Sequence, residues 1–237
     1  MSLETELRWH CRERGVDYVG IADLAVARGF VDEQGGNLVT GLPRAVSLGI
    51  RLPVAIVDML PRRDDRGVAI AYRHHAYDVI NLRLDLLASE LAGLLQREGH
   101  RALPVAASKR SDQDGIRGSF SHKLAAHLAG LGWIGRSCLL VTTDAGPRVR
   151  WVSVLTDAPL APTGSTQDPR CGECRLCVEI CPVRAFTGRE FHEDEPREAR
   201  YDARLCDEYF ATLKAQDPET AVCGLCLYVC PFGRRTV

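Results

Sequence analysis

Residues 171–182 read CGECRLCVEICP, a C-x2-C-x2-C-x3-C-P run. That spacing lets three thiolates, Cys171, Cys174 and Cys177, wrap one [4Fe–4S] cubane, while Cys181, stiffened by Pro182, points away to ligate another cluster. A second set is therefore required. It follows as Cys223-x2-Cys226-x3-Cys230-Pro231, with Cys206 supplying the ligand that a compact run would place three residues before Cys223. The crossover rule assigns Cys171, Cys174, Cys177 and Cys230 to one cluster, and Cys181, Cys206, Cys223 and Cys226 to the other. Zinc ribbons, the competing use of such cysteines, rest on two CxxC pairs and need neither a third cysteine at x2 nor a CP terminus. Cys11 and Cys138 stand apart in apolar periodic stretches and read as small buried hydrophobes.

The bulk composition agrees with a folded metalloprotein. Of 237 residues 46% are hydrophobic and 26% charged, which excludes the disordered and fibrous classes. Ten cysteines are about 4% of the chain, below the ~8–10% of a disulfide scaffold, and clustered thiols in a reducing compartment point to metal. Thirty basic residues against 31 acidic ones give a net charge of −1, which argues against an extended grip on phosphate backbones, so nucleic acid is not an expected partner. No apolar run reaches the ~18 residues of a membrane span, and the N-terminus MSLETELRWH lacks the basic-then-apolar pattern of a signal peptide. A cytoplasmic location is expected.

The cysteines divide the chain once. Residues 158–169, APLAPTGSTQDP, have the composition of a surface connection, so the expected domains are 1–160 and 165–237. In the first, residues 3–14 read as an amphipathic helix stopped by Gly15, and Ile80, Leu84, Leu87, Leu91 and Leu94 mark the longest helix, ending at Gly99. A further helix runs from Phe120 to Leu131. Strands are expected at residues 18–22, 45–52, 67–71 and 102–105, and a strand pair at 138–142 and 149–155 turns over Asp144–Pro147. The fold class is thus mixed, α/β or α+β, followed by a bacterial-ferredoxin-like double [4Fe–4S] module.

The segment SHKLAAHLAGLGWIGRSCLLV (121–141), the LTD of 155–157, CGECRLCVEICP and CGLCLYVCP (223–231) together resemble the epoxyqueuosine reductase family, cobalamin-dependent iron–sulfur enzymes related to reductive dehalogenases. The likeness is best over residues 105–232. It implies that the first domain binds a corrinoid, with the backbone of Gly132, Trp133, Ile134 and Gly135 against the ring edge, and that the clusters deliver electrons to its cobalt. Glycine permits close backbone approach, and a tryptophan offers area at little entropy cost. The chain departs from that family's pattern where an acid serves as proton donor, the corresponding place being near Ile116. Ser119 and His122-Lys123 replace a proline and a Glu-Arg pair. The sequence given also ends at Val237, short of the helical-repeat extension linked to tRNA in some members, so a queuosine-modified tRNA is not the expected substrate.

Candidate polar chemistry follows from these departures. His122 is the favoured proton donor, Asp112 the runner-up with Asp114 near it, and Lys123 is a candidate partner for a phosphate or carboxamide. Tyr72, Arg73, His74, His75 and Tyr77 form a polar, aromatic opening to the long helix, with Tyr72 and His75 as candidate contacts to a nucleotide tail or a substrate. The run REFHEDEPREAR (189–200) reads as a solvated excursion. The leading function is a reductase in which two [4Fe–4S] clusters relay electrons, from a flavodoxin- or ferredoxin-type donor, to cobalamin for reduction of a small organic substrate. The alternatives are a non-catalytic electron carrier or activator of a partner corrinoid protein, and a binding module that keeps its clusters for stability alone.

Overall fold

The computed structural model describes residues 2–234. Its elements in chain order are α1 (Leu3–Glu13), β1 (Tyr18–Asp23), α2 (Arg28–Gly35), β2 (Arg44–Arg51), α3 (Val54–Asp58), α4 (Arg66–Arg73), α5 (Ile80–Arg97), β3 (Ala102–Val105), α6 (His122–Leu128), β4 (Trp133–Ile134), β5 (Leu140–Val141), β6 (Val149–Thr156), α7 (Leu176–Glu179), α8 (Ala203–Gln216) and α9 (Leu225–Tyr228). Among the described residues no helix is long and apolar enough to cross a membrane.

Packing sorts these elements into two compact units, neither continuous in sequence. One takes the chain up to Ile50, Ile80–Leu131 and Arg150–Gln167; the other takes Arg51–Val79, Gly132–Val149 and the chain from Asp168 onward. The composition of 158–169 marks a surface connection, but it carries no information about which distant segments pack together.

The first unit is built on a sheet of order β1-β2-β6-β3. β1 pairs antiparallel with β2, Tyr18 opposite Gly49, and β3 antiparallel with β6, Ala102 opposite Thr156. These pairings place the fold on the α+β side of the expected class. β6 is buried along nearly its whole length, as an interior strand must be. α5 covers the sheet with Leu84, Leu87, Leu91, Leu94 and Leu95, and a core of Leu24, Val31, Val105, Phe120, Leu128 and Leu155 packs beside it. Gly49 leaves room for an aromatic ring across the sheet: a Cβ there would sit 2.6 Å from Trp151, whose ring packs against Tyr18 at 5.5 Å.

Two expected strands are corrected. Residues 67–71 lie in α4, because Asp65 caps that helix, accepting the Gly67 amide at 2.8 Å and the Val68 amide at 3.4 Å, and Val68, Ala69 and Tyr72 share its buried face. The stretch 138–142 does not pair with 149–155. Thr142 and Gly146 exchange backbone hydrogen bonds of 2.9 and 3.0 Å, but Pro147 has no N–H to carry the ladder further. β5 pairs instead with β4, Trp133 opposite Val141, and β6 joins the large sheet. The helix expected at 120–131 is shorter, since Gly130 at φ 74 ends it after Leu128.

The glycines give an opposed pair of tests. Gly49→Ala drives a methyl into the buried Trp151 ring and is expected to cost ~1–3 kcal/mol. Gly29→Ala, at an exposed position of α2 with no atom within 4 Å of the added carbon, is expected to stabilise by ~0.5–1 kcal/mol. Thermal midpoints measured anaerobically on cluster-loaded protein should therefore move in opposite directions, and a shift of both the same way contradicts this packing.

Candidate functional site

Eight cysteines converge in the second unit, all free and half-buried. Cys171 and Cys174 bracket a turn closed by the Cys174 amide on the Cys171 carbonyl at 3.0 Å, with Gly172 between them at φ 51. Cys177 lies in α7, and Cys226 in α9, which begins at Gly224 with φ 69. Cys206 comes from α8.

Electrostatic proximity sorts the thiols into two sets. Burial, and then the nearby Cys171 and Cys174, push the Cys177 thiol up to about 11. Burial pushes Cys230 up to about 12, with Cys171, Cys177 and Cys174 acting in the same sense and the Phe232 amide opposing. Cys226 is raised by burial, then by Cys223, Cys206, Cys181 and Cys177. Cys223 is raised by burial, with Cys206 and Cys181 adding to it and the Leu225 amide and Arg63 opposing. Cys230 therefore sits among Cys171, Cys174 and Cys177, while Cys181, Cys206, Cys223 and Cys226 form the other group. Tyr201 stands beside this second group, hydrogen-bonded to Cys206.

This donor set suits iron–sulfur cubanes. Among the described residues no three His, Cys, Asp or Glu side chains close on one point as a single metal ion demands. A tetrahedral zinc would draw every sulfur to within ~2.3 Å of itself, whereas a cubane spreads its four thiolates over four irons. Backbone amides face the ligand sulfurs, as where the Ala185 N–H donates to Cys181 Sγ at 3.3 Å.

Arginines fasten the surrounding loops. Arg136, mostly buried, donates to the Gly172 carbonyl at 2.7 Å and to the Gly188 carbonyl, and pairs with Glu190 at 2.9 Å. Arg148, 2% exposed, pairs with Asp58 at 2.7 Å and donates to the Tyr228 carbonyl at 3.2 Å. The strongly charged run 189–200, expected as a solvated excursion, is thus tied at Glu190 to the Cys171–Cys174 turn.

The residues expected at a corrinoid edge lie in this same unit. Gly132 is explained by its own hairpin, since a Cβ there would meet the Val141 carbonyl oxygen at 2.3 Å. Gly135 lies where a Cβ would be 2.8 Å from Val141 and 3.5 Å from Cys171 Sγ. The Trp133 ring is fully buried, edge-on to Phe232 at 4.8 Å and beneath Arg170 at 5.6 Å, and Ile134 is buried as well. Tyr72 is buried against Tyr77 at 5.9 Å, and its hydroxyl lies over Gly224. His75 is exposed and packs edge-on to His74 at 5.2 Å.

The candidate proton donors belong to the first unit, around a cavity of about 220 Å³ lined by residues 105–111, 118–120 and His122. His122, half-buried, uses both ring nitrogens. Nε2 donates to the Ala106 carbonyl at 3.1 Å, which leaves Nδ1 to accept from the Ser153 hydroxyl at 3.0 Å. Burial lowers its pKa, against the Ala106 carbonyl and Asp85, so the ring is neutral near pH 7. Asp112 is held as a carboxylate below its usual range, first by the Gly115 amide at 2.8 Å and then by Arg117 at 2.9 Å. It closes a turn in which Ile116 takes φ 50, a strained conformation for a β-branched residue. Lys123 follows His122 on α6 and is half-buried. Neither His122 nor Asp112 carries a spare acidic proton at neutral pH. The sequence shows their positions but not that both are committed to holding the loop, and the serine on β6 that fixes His122 escaped the motif reading altogether.

Two measurements test this geometry. Cys181→Ser should remove mainly the cluster shared with Cys206, Cys223 and Cys226, leaving about four of eight irons per chain with the other cluster intact; loss of the neighbouring cluster instead contradicts the crossed arrangement. For His122 the folded pKa lies below the unfolded value of ~6.5, so the unfolded state binds more protons, and its contribution is present above that value and lost as pH falls below it. His122→Gln should flatten the decline of thermal midpoint between pH 7.5 and the acid side of ~6.5. An unchanged slope would show that the ring does not titrate as its burial dictates.

Comparison with known proteins agrees with the cluster geometry. Residues 170–233 match the family described as 4Fe-4S double cluster binding domain. The epoxyqueuosine reductase of Pseudomonas aeruginosa is 28% identical over 203 residues, 81% of this chain and 49% of that protein. That of Alicycliphilus denitrificans is 28% identical over 84% of this chain and 58% of that protein. The chain thus spans about half the length of these curated relatives. Among solved structures, an epoxyqueuosine reductase with an epoxyqueuosine-modified tRNA-Tyr stem loop matches 98% of this chain and 65% of that chain, with a TM-score of 0.59 at 21% identity. A reductive dehalogenase, whose structure is described as suggesting a mechanism for B12-dependent dehalogenation, matches 98% of this chain and 32% of that chain, with a TM-score of 0.66 at 20% identity. The chain is therefore similar in sequence to epoxyqueuosine reductases, shares its fold with them and with a reductive dehalogenase, and carries a double [4Fe–4S] cluster binding module.

Proposed function

We propose that this chain is a reductase whose two [4Fe–4S] clusters relay single electrons to a corrinoid for reduction of a small organic substrate. The observation that carries the relay is the sorting of eight thiols into two crossed sets of four. Similarity to epoxyqueuosine reductases supports the reductase class, and the B12-dependent chemistry named for the dehalogenase of like fold supports the corrinoid. The segment carrying Gly135 runs beside Cys171, so the stretch that resembles the family's corrinoid edge lies against a cluster ligand. When bound, a corrinoid would supply a strongly reducing cobalt.

The fit of the described residues to a corrinoid is poorer than their fit to the clusters. The cavity of about 220 Å³ beside His122 is smaller than the ~300–1,000 Å³ of sites that enclose drug-sized ligands. Five of the six candidate contacts, Tyr72 and Gly132 to Gly135, are buried among protein atoms, and only His75 is open. What the chain's own residues do is clearer. Lys109, Arg110, Ser108, Ser111 and Ser119 give the cavity a cationic and hydroxylic lining, and neutral His122 fixes its wall to β6. Water supplies the proton, because neither His122 nor Asp112 holds one to give. A flavodoxin- or ferredoxin-type protein donates the electrons. The near-neutral net charge supports a small-molecule substrate over a tRNA, although one relative of like fold is solved with a tRNA stem loop.

The burial of those five residues favours a second reading, in which the chain is an electron carrier or activator for a partner corrinoid protein. Titration of anaerobic, cluster-loaded protein with hydroxocobalamin separates the two. The proposal expects a saturable shift of the corrinoid's visible spectrum, and an epoxyqueuosine-modified stem loop is expected not to be retained. No shift at micromolar corrinoid with intact clusters overturns the corrinoid reading in favour of the carrier, and tight retention of the stem loop overturns the small-molecule substrate.

A further inference from the structure

Residues 106–121 form neither helix nor strand, yet the loop they make is braced from several sides. At its start, the Asp85 carboxylate accepts the Ala107 amide at 2.7 Å, and His122 Nε2 donates to the Ala106 carbonyl at 3.1 Å. Near its end, Gln34 Nε2 donates to the Gly118 carbonyl at 2.7 Å. Across its neck, the Ser111 and Asp112 amides both donate to the Arg117 carbonyl at 3.1 Å. The two limbs meet at Gly118, where a Cβ would lie 2.9 Å from the Lys109 carbonyl oxygen. The cavity of about 220 Å³ that this loop lines therefore has a fixed outline.

Its lining divides by chemistry. Val105 and Phe120, both buried, give it an apolar wall, with Ala106 and Ala107 beside them. Ser108, Lys109, Arg110 and Ser111, all exposed, and half-buried Ser119 bring ammonium, guanidinium and hydroxyl donors. Among the described residues, none that lines the cavity is acidic. Residues 105–123 carry four cations, Lys109, Arg110, Arg117 and Lys123, against two acids, Asp112 and Asp114, in a chain whose net charge is −1. Whatever pairs these groups form among themselves, a positive surplus remains. Asp112 is engaged by Arg117 at 2.9 Å, and Asp85, beneath the loop, by the Ala107 amide. His122 adds no charge to the wall, its two ring nitrogens being committed to Ala106 and Ser153.

We propose that this cavity is the substrate subsite and that its ligand is a small organic carboxylate about one ring in size, with its apolar body on Val105 and Phe120 and its carboxylate among Lys109, Arg110 and the serine hydroxyls. Naming the ligand a substrate rests on the reductase reading; the binding itself rests on the cavity alone. Size, charge and lining each narrow the choice. A dry apolar cavity of ~150 Å³ takes one benzene ring, so about 220 Å³ admits a ring together with its charged group. It falls below the ~300–1,000 Å³ that encloses drug-sized ligands, and is too small to enclose a nucleotide. Ammonium and guanidinium groups form charge-assisted hydrogen bonds to a carboxylate, about twice as strong as neutral ones. A bare inorganic anion would satisfy those donors but leave the apolar wall uncovered, whereas an uncharged ring would do the reverse.

The test is a calorimetric titration of the full cluster-loaded chain, kept anaerobic in Tris chloride at low ionic strength, with benzoate, benzamide and inorganic phosphate as probes. Benzoate should bind at one site, and benzamide, which keeps the ring and loses the charge, about tenfold more weakly. Lys109→Gln and Arg110→Gln should each weaken benzoate about threefold to tenfold, and Arg110→Lys should lose less than Arg110→Gln. Both side chains are exposed, so iron per chain and thermal midpoint should stay at the parent values. Absence of benzoate binding, equal binding of benzoate and benzamide, displacement of benzoate by an equal concentration of phosphate, or unchanged affinity in the Lys109→Gln, Arg110→Gln double variant would each overturn the proposal. A corrinoid titration that fails beside intact benzoate binding removes the reductase reading and leaves the carboxylate site, whereas corrinoid binding without benzoate binding removes this inference alone.

Discussion

Four thiols must converge on each of two cubanes, and no single stretch of this chain supplies four to one cluster. Cys181 and Cys230 each leave their own run and join the other set, so each cluster takes ligands from both runs. That exchange couples residues about fifty positions apart and forces the loops between them to return. The Cys171–Cys174 turn is fixed through Arg136 to residues 188 and 190, and Arg148 fixes the Cys226–Cys230 stretch to Asp58. Metal binding is here part of folding, since unliganded, closely spaced thiols in half-buried positions gain their stability from the bonds they make to iron.

The same constraint explains why a segment from the first half of the chain is packed beside the clusters. Burying a cluster requires apolar cover and backbone donors, and the cysteine-rich segment supplies part of that cover itself through Phe186, Val222, Leu225 and Leu227. Leu60 and Tyr72 provide cover over Gly224, while the β4–β5 hairpin sets Gly135 beside Cys171. The first unit, by contrast, is an ordinary α+β assembly in which two side chains, one on a strand and one on a helix, hold the cavity loop. Ser153 on β6 fixes His122, and Asp85 on α5 accepts the Ala107 amide at 2.7 Å, so the loop lining the small cavity is anchored at its base.

Local patterns were legible and long-range ones were not. The CP runs and the x2 spacing reveal the ligand sets because cluster chemistry is written in covalent spacing, and the paired Cys-Gly steps at 171–172 and 223–224 both take positive φ at the glycine. α1 and α5 follow from clean apolar periodicity. Residues 67–71 misled because a short apolar run suits a strand or a buried helix equally, and the Asp65 cap decides between them. The β5 partner was misjudged because one proline ends the ladder after a single bridge. The second role of 51–79 had no local signal, for it depends on ion pairs such as Arg66 with Glu219 that join residues far apart in sequence. His122 and Asp112 stand out in the sequence as candidate proton donors, but their protonation depends on burial and partners that only the folded chain defines.

The proposed reductase function requires that electrons held on two crossed clusters can reach a corrinoid that this chain would bind. Stopped-flow mixing of anaerobically reduced, cluster-loaded protein with hydroxocobalamin reads both partners at once. The account predicts that cluster absorbance returns to its oxidised level while the corrinoid is reduced at a matching rate and in matching electron count. Clusters that stay reduced beside an unchanged corrinoid would contradict it.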